Sequence, residues 1–201
     1  VAVQVQSVVQ NFCSNFQIAL NPQLTKSYAQ NNLQHMRKLL KVSSKFSFFM
    51  LFFISLPLML EAPLVLRWWL GIVPEHTVNF LRLILCSSML VALANPLIIS
   101  VHATGRIKRF QAIEGTMLLC IVPIAYFMLK LFGIAPEYVF CVHIVVEVCT
   151  QYARMRIVLP MMNMRLSDYC KEIILPILKV VIIAPAIPFA VFSLSNQSVS
   201  T

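Results

Sequence analysis

Apolar residues gather into six long stretches, at about 1–20, 44–66, 75–101, 110–131, 136–158 and 172–194, and the intervening segments hold most of the charge. Each stretch is close to the roughly 20 residues that an α-helix needs to cross a bilayer. The pattern therefore predicts an all-α membrane protein with about six transmembrane helices. Asn21-Pro22 reads as the stop of the first helix, and prolines 57, 96, 123, 176, 185 and 188 fall within or close to apolar spans. Lipid tolerates such prolines only where other groups satisfy the freed carbonyls, which fits either kinked packing helices or broken helices around a cavity. The chain opens at Val1 without a basic n-region, so its first stretch reads as part of a helix from a larger polytopic protein and not as a signal peptide.

Composition strengthens this picture. Hydrophobic residues make up 59% of the 201 and charged residues only 11%, far from the roughly 25% charged content of soluble domains. The net charge of +9 forms no continuous basic face, so nucleic acid is not an expected partner; membrane lipids are. Instead the charge alternates from loop to loop. Lys26, Arg37, Lys38, Lys41 and Lys45 follow the first helix, Arg106, Lys108 and Arg109 the third, and Arg154, Arg156, Arg165 and Lys171 the fifth. The other side has Arg67 and Lys130 beside Glu61, Glu75 and Glu137. Cytoplasmic loops carry the excess of Lys and Arg, so the first helix is expected to end in the cytoplasm. Trp68 and Trp69 suit a headgroup-level anchor at the outer end of the second helix. The six cysteines form no CxxC pair and read as buried free thiols, with no metal site.

Three segments carry candidate chemistry. On the first helix Gln4, Gln6, Ser7, Gln10, Asn11, Ser14, Asn15 and Gln17 cover about half the circumference, against Val5, Val8, Val9, Phe12, Phe16 and Leu20 on the other half. Uncharged amides either line a wet passage for a hydroxyl-rich solute or bind the helix to its neighbours. On the fifth helix His143, Glu147, Gln151 and Arg154 form a stripe, with Glu147 about 15 Å deep at 1.5 Å per residue. An ionisable pair at that depth either handles a coupling H+ or Na+ or is a structural pair. Arg82 lies about two turns inside the third helix, where it either binds phosphate or snorkels to headgroups. Glu114 is expected to pair near the surface with Lys108 and Arg109. No phosphate loop, dinucleotide fingerprint, HExxH or GxSxG occurs, so no enzyme activity and no cofactor is expected.

The order of these features resembles the C-terminal half of a polysaccharide flippase of the MATE-related MOP exporter superfamily. Carrying the resemblance are Asn21-Pro-Gln-Leu-Thr-Lys-Ser-Tyr-Ala29 after a polar helix, Trp69-Leu-Gly-Ile-Val-Pro74, Asn95-Pro96 closing a helix, Ala103-Thr-Gly-Arg-Ile-Lys108 and Pro123-Ile-Ala-Tyr126. It implies a parent of two pseudo-symmetric lobes, of which residues 1–201 supply most of the second, the N-terminal lobe lying outside this chain. It also implies movement of a lipid-linked oligosaccharide, typically on undecaprenyl diphosphate, from the cytoplasmic to the periplasmic leaflet for surface polysaccharide synthesis, with polymerase or assembly proteins as partners. In that frame Gln4, Ser7, Asn11, Asn15 and Arg82 become the substrate cavity and His143 with Glu147 the coupling site, by their chemistry and not by a family motif. A multidrug or cation antiporter of the same fold is the alternative.

Overall fold

A computed structural model describes residues 2–132 and 137–184, and among them the chain is all helix. The helices are α1 (Ala2–Ala29), α2 (Leu33–Leu60), α3 (Ala62–Leu70), α4 (Thr77–Thr104), α5 (Ile107–Leu119), α6 (Ile121–Phe132), α7 (Glu137–Met161), α8 (Leu166–Tyr169) and α9 (Leu175–Ile183), with a π-helical turn at Cys170–Ile174 between the last two. Among the described residues three rods are long and apolar enough to cross a membrane, α2, α4 and the combined α5 and α6 over Ile107–Lys130, whereas α1 and α7 are not among them, so the expected count of about six is not reached.

The central helix is α4, which packs against α1, α2 and α7. Its contact faces are rich in small residues. Ser43, Ser44, Ser47 and Ser55 of α2 and Ser87, Ser88, Ala92, Ala94 and Ser100 of α4 are all buried. Small side chains let backbones approach closely, which is how helices gain van der Waals contact in a solvent that supplies no hydrophobic drive. Ser88 and Ser100 fold their hydroxyls back onto their own helix, at 2.8 Å to the Ile84 carbonyl and 2.7 Å to that of Pro96, whereas the buried Ser44 and Ser55 hydroxyls find no partner among the described residues. Leu40, Leu51, Leu81, Leu85, Leu97 and Phe110 fill the rest of the core.

Helix α7 shows what solvent the bundle is built for. Its inward face carries Glu147, Thr150, Gln151 and Arg154, all buried, while Val145 and Val148 point outward at 62% and 51% exposure. A soluble helix has the opposite arrangement. The outward faces of α5 and α6 are likewise apolar, with Leu119, Val122 and Phe127 exposed. This is a helical membrane protein.

Several boundaries differ from those read in the sequence. Asn21-Pro22 does not stop α1, which continues through Pro22 to Ala29. Helix α2 begins at Leu33, eleven residues before the apolar run, because its first three turns are the basic segment itself, capped by the Asn32 side chain accepting from the His35 N–H at 3.0 Å. It ends at Leu60, and Trp68 and Trp69 ride on the separate short helix α3, both exposed. Pro63 explains the break, since it has no N–H for the carbonyl of Met59. The fourth stretch is interrupted at Cys120, where Pro123 cannot donate to Leu119. Asn95-Pro96 does not end α4, which runs on to Gly105; there a φ of 70° makes glycine the natural terminator. Cys13 is buried as expected, but Cys120 and Cys149 face outward. Pro136 and residues 185–201, with prolines 185 and 188, lie outside the described residues.

Cross-chain contacts tie alternate turns to the same end of the bundle. Arg37 Nη1 donates to the Asn163 carbonyl at 3.4 Å and Lys41 pairs with Glu172, so the basic turns share one end. His76 pairs with Glu137 and Arg82 Nε donates to the Met59 carbonyl at 3.0 Å at the other. Arg154, counted above with the loops, belongs instead to the buried face of α7.

Candidate functional site

Two polar assemblies occupy the interior. The first joins α1, α2 and α4 around Gln17, which is only 4% exposed. Pro96 lacks an N–H, so the Ala92 carbonyl four residues earlier loses its helical partner. Gln17 Nε2 supplies the missing donor at 3.3 Å and also donates to Ser47 Oγ at 3.1 Å, while Asn95 Nδ2 donates to Gln17 Oε1 at 3.0 Å. One turn away Gln6 and Gln10 reach Ser88 Oγ at 3.0 and 3.4 Å. Beside this network lies a cavity of about 240 Å³, lined by Gln10, Asn11, Cys13, Ser14, Gln17, Leu51, Ser88, Val91, Ala92 and Asn95. That volume holds several waters or one small polar group.

The polar half of α1 thus divides in two. Gln6, Gln10 and Gln17 bond to the neighbouring helices, whereas Gln4, Ser7, Asn11 and Asn15 are exposed. Of the exposed four, Asn11 borders the cavity. The packing reading of the amide stripe therefore holds for the arc of Gln6, Gln10 and Gln17, and the other arc is left exposed.

The second assembly centres on Arg154, 4% exposed. Its Nε and Nη2 donate to Glu114 Oε1 at 2.8 and 2.7 Å, its Nη1 to Glu147 Oε1 at 2.6 Å and to Gln151 Oε1 at 3.3 Å. Glu147, Gln151 and Arg154 at i, i+4 and i+7 share the inward face of α7, and Glu114 completes the set from α5. The planar fork of arginine suits this double engagement. Two carboxylates face one guanidinium, a local sum of −1.

These contacts revise the sequence reading. Glu114 turns inward to Arg154 and does not pair with Lys108 or Arg109 at the surface. His143 and Glu147 do not form a pair: His143 Nδ1 meets Ser87 Oγ on α4 at 3.0 Å, and Glu147 is held by Arg154. Arg82 is exposed at the opposite end of α4 from the basic turns, with Nε on the Met59 carbonyl that Pro63 leaves free, so it does not join the cavity beside Asn11. Comparison with protein-family models, curated proteins and solved structures gives no match. Function has to be argued from these residues.

Gln17, named above only as one of eight polar residues on the first helix, makes up with Ser47, Ser88 and Asn95 a node whose partners the sequence did not single out. Its signal was present: a proline inside an apolar helix leaves a carbonyl that needs a donor, and a neighbouring helix rich in amides provides one. The same rule finds Arg82 on Met59.

Proposed function

We propose that this chain is one lobe of a multi-pass membrane transporter of polar, hydroxyl-rich solutes, and that its substrate is a lipid-linked oligosaccharide moved across the bilayer. The observation that carries the reading is the exposed amide arc of α1. Gln4, Ser7, Asn11 and Asn15 spread over three turns of a helix whose neighbours turn Val, Leu and Phe outward. Amides and hydroxyls at membrane depth are stable only against protein or a water-filled passage. With the cavity beside Asn11 and Ser14, the arc supplies one wall of such a passage. The ordered resemblance of residues 1–158 to the flippases supports the glycan, since sugar hydroxyls match neutral amides better than a cationic drug does. The antiporter reading stands second because Glu114 and Glu147 are both engaged by Arg154, leaving no carboxylate free toward the α1 passage.

Cysteine scanning in the full-length protein tests the passage. Asn11→Cys and Asn15→Cys are expected to react with a membrane-impermeant thiol reagent, and Val148→Cys, on the outward apolar face of α7, to stay unreactive. Protection of both Asn positions from water-soluble reagents under every condition would mean that the arc merely packs. Unchanged surface polysaccharide after loss of the gene would remove the glycan assignment while leaving the passage.

A further inference from the structure

The basic end of the bundle holds an assembly that the transport reading does not use. An open pocket of about 470 Å³ lies between the first turns of α2 and the π turn, lined by Gln34, Arg37, Lys38, Lys41 and Glu172. Three cations against one carboxylate leave it a sum of +2. Arg37 is fixed in place, its Nε donating to the Leu33 carbonyl at 3.3 Å and its Nη1 to the Asn163 carbonyl at 3.4 Å, so its remaining donors are pre-aimed. Lys38 is exposed and makes no ion pair among the described residues.

We propose that this pocket binds the phosphate of an anionic lipid headgroup. Depth supports the lipid as the source. Lys41 precedes Phe46, where the uncharged run of α2 begins, by five residues, or about 7.5 Å along the helix, which puts the pocket at headgroup level above a hydrocarbon-facing surface. Basic pockets between membrane helices at the positively charged face are the usual receptors for such headgroups. Glu172 is the second observation. It holds Lys41 in an ion pair, and it sits in the middle of a π-helical turn, a costly local geometry that recurs at functional sites. Pro176 follows and has no N–H to return to the carbonyl of Glu172, which favours the looser turn there. Glu172 thus occupies Lys41 until a phosphate oxygen competes for it, acting as an internal stand-in for the ligand.

Native mass spectrometry of the full chain, released from nanodiscs of phosphatidylcholine with a minor fraction of phosphatidylglycerol, reads retained lipid directly. The wild type is expected to keep phosphatidylglycerol in preference. Lys38→Gln and Lys41→Gln should each lower that retention about fivefold, the value of one interfacial cation. Glu172→Gln should raise it, because Lys41 is released; Lys108→Gln, exposed at the same end but outside the pocket, should leave it unchanged. Equal loss from Lys108→Gln would show a diffuse basic surface, and a fall with Glu172→Gln would show that the pair is only a clip between helices; either overturns the site. Loss of the lipid preference when inorganic phosphate is added, with sulfate inert, would assign the pocket to free phosphate and overturn the lipid as its ligand.

Discussion

Replacing Arg154 by glutamine should cost far more than replacing either carboxylate that it binds. Charges about 4 Å apart interact by about 4 kcal/mol at the effective dielectric of partly buried protein sites. Arg154 makes two such pairs, with N–O distances of 2.6 and 2.7 Å. The two carboxylates on one guanidinium also repel each other, and that repulsion cancels most of one attraction. Removing Glu114 alone loses one attraction and the repulsion together, for a net of about 1 kcal/mol. Removing Arg154 loses both attractions and strands two buried carboxylates near Phe110, Ile113 and Ile157, a loss of about 3–5 kcal/mol after relaxation. At roughly 2–4 °C per kcal/mol for a chain of this length, Arg154→Gln should lower the thermal midpoint in detergent by about 10 °C, and Glu114→Gln by only about 3 °C. The triple variant Arg154→Gln, Glu114→Gln and Glu147→Gln should recover most of the loss, since removing a whole buried charge set is often neutral. Equal shifts for Arg154→Gln and Glu114→Gln, followed by size-exclusion monitoring across a temperature series, would refute the shared-guanidinium arrangement.

Gln17→Leu should destabilise the bundle by about 1–2 kcal/mol, because the Ala92 carbonyl is left without a donor; in the Pro96→Ala background, where the helix N–H returns, the same change should cost less, which a double-mutant cycle in detergent would read. Gly105→Ala should cost about 1 kcal/mol at its φ of 70°, whereas Gly115→Ala, helical with nothing within 4 Å of the added methyl, should be neutral or slightly stabilising in the same thermal assay. Tyr169 is buried ahead of α9, and desolvation pushes its phenol from 10.0 up to about 12. Its folded pKa is the higher one, so its contribution to stability is complete below about pH 10 and is lost as the pH rises toward 12. Ultraviolet titration should show one phenol ionising last, missing in Tyr169→Phe.

Much of the architecture was legible because a bilayer demands length and apolarity, both of which are local properties of a sequence. The alternate basic turns fall at one end, as their spacing implied. What failed were boundaries governed by hydrogen bonding. Proline 22 was read as a stop, but a proline ends a helix only if nothing compensates for its missing N–H and its ring clash. Proline 96 was read the same way and is compensated by Gln17, a partner 79 residues earlier that no window can see. The site was legible only in part. The stripe of Glu147, Gln151 and Arg154 follows from spacing alone, yet its fourth member, Glu114, comes from α5, and periodicity on one helix cannot name a partner on another. His143 illustrates the reverse: one turn from Glu147 in sequence, it turns to Ser87 because α4 offers a hydroxyl on that side.

The two interior assemblies differ in what they can do. The Arg154 set is closed, with its guanidinium engaged by three side chains, so it braces α5 against α7 and gives the outer rod a fixed position. The α1 assembly is open: its inner amides are spent on Ser47, Ser88, Ala92 and Asn95, while Gln4, Ser7, Asn11 and Asn15 make no side-chain bond to another helix among the described residues. A helix fastened along one edge by hydrogen bonds, with polar groups left on the other, is held in place and still presents donors and acceptors. Purely structural amides would be expected on the fastened edge alone, since each unsatisfied amide facing lipid costs several kcal/mol. That second polar edge is what motivates the transport reading proposed above, in which water, another lobe of protein or a hydroxylated solute beside α1 would satisfy it.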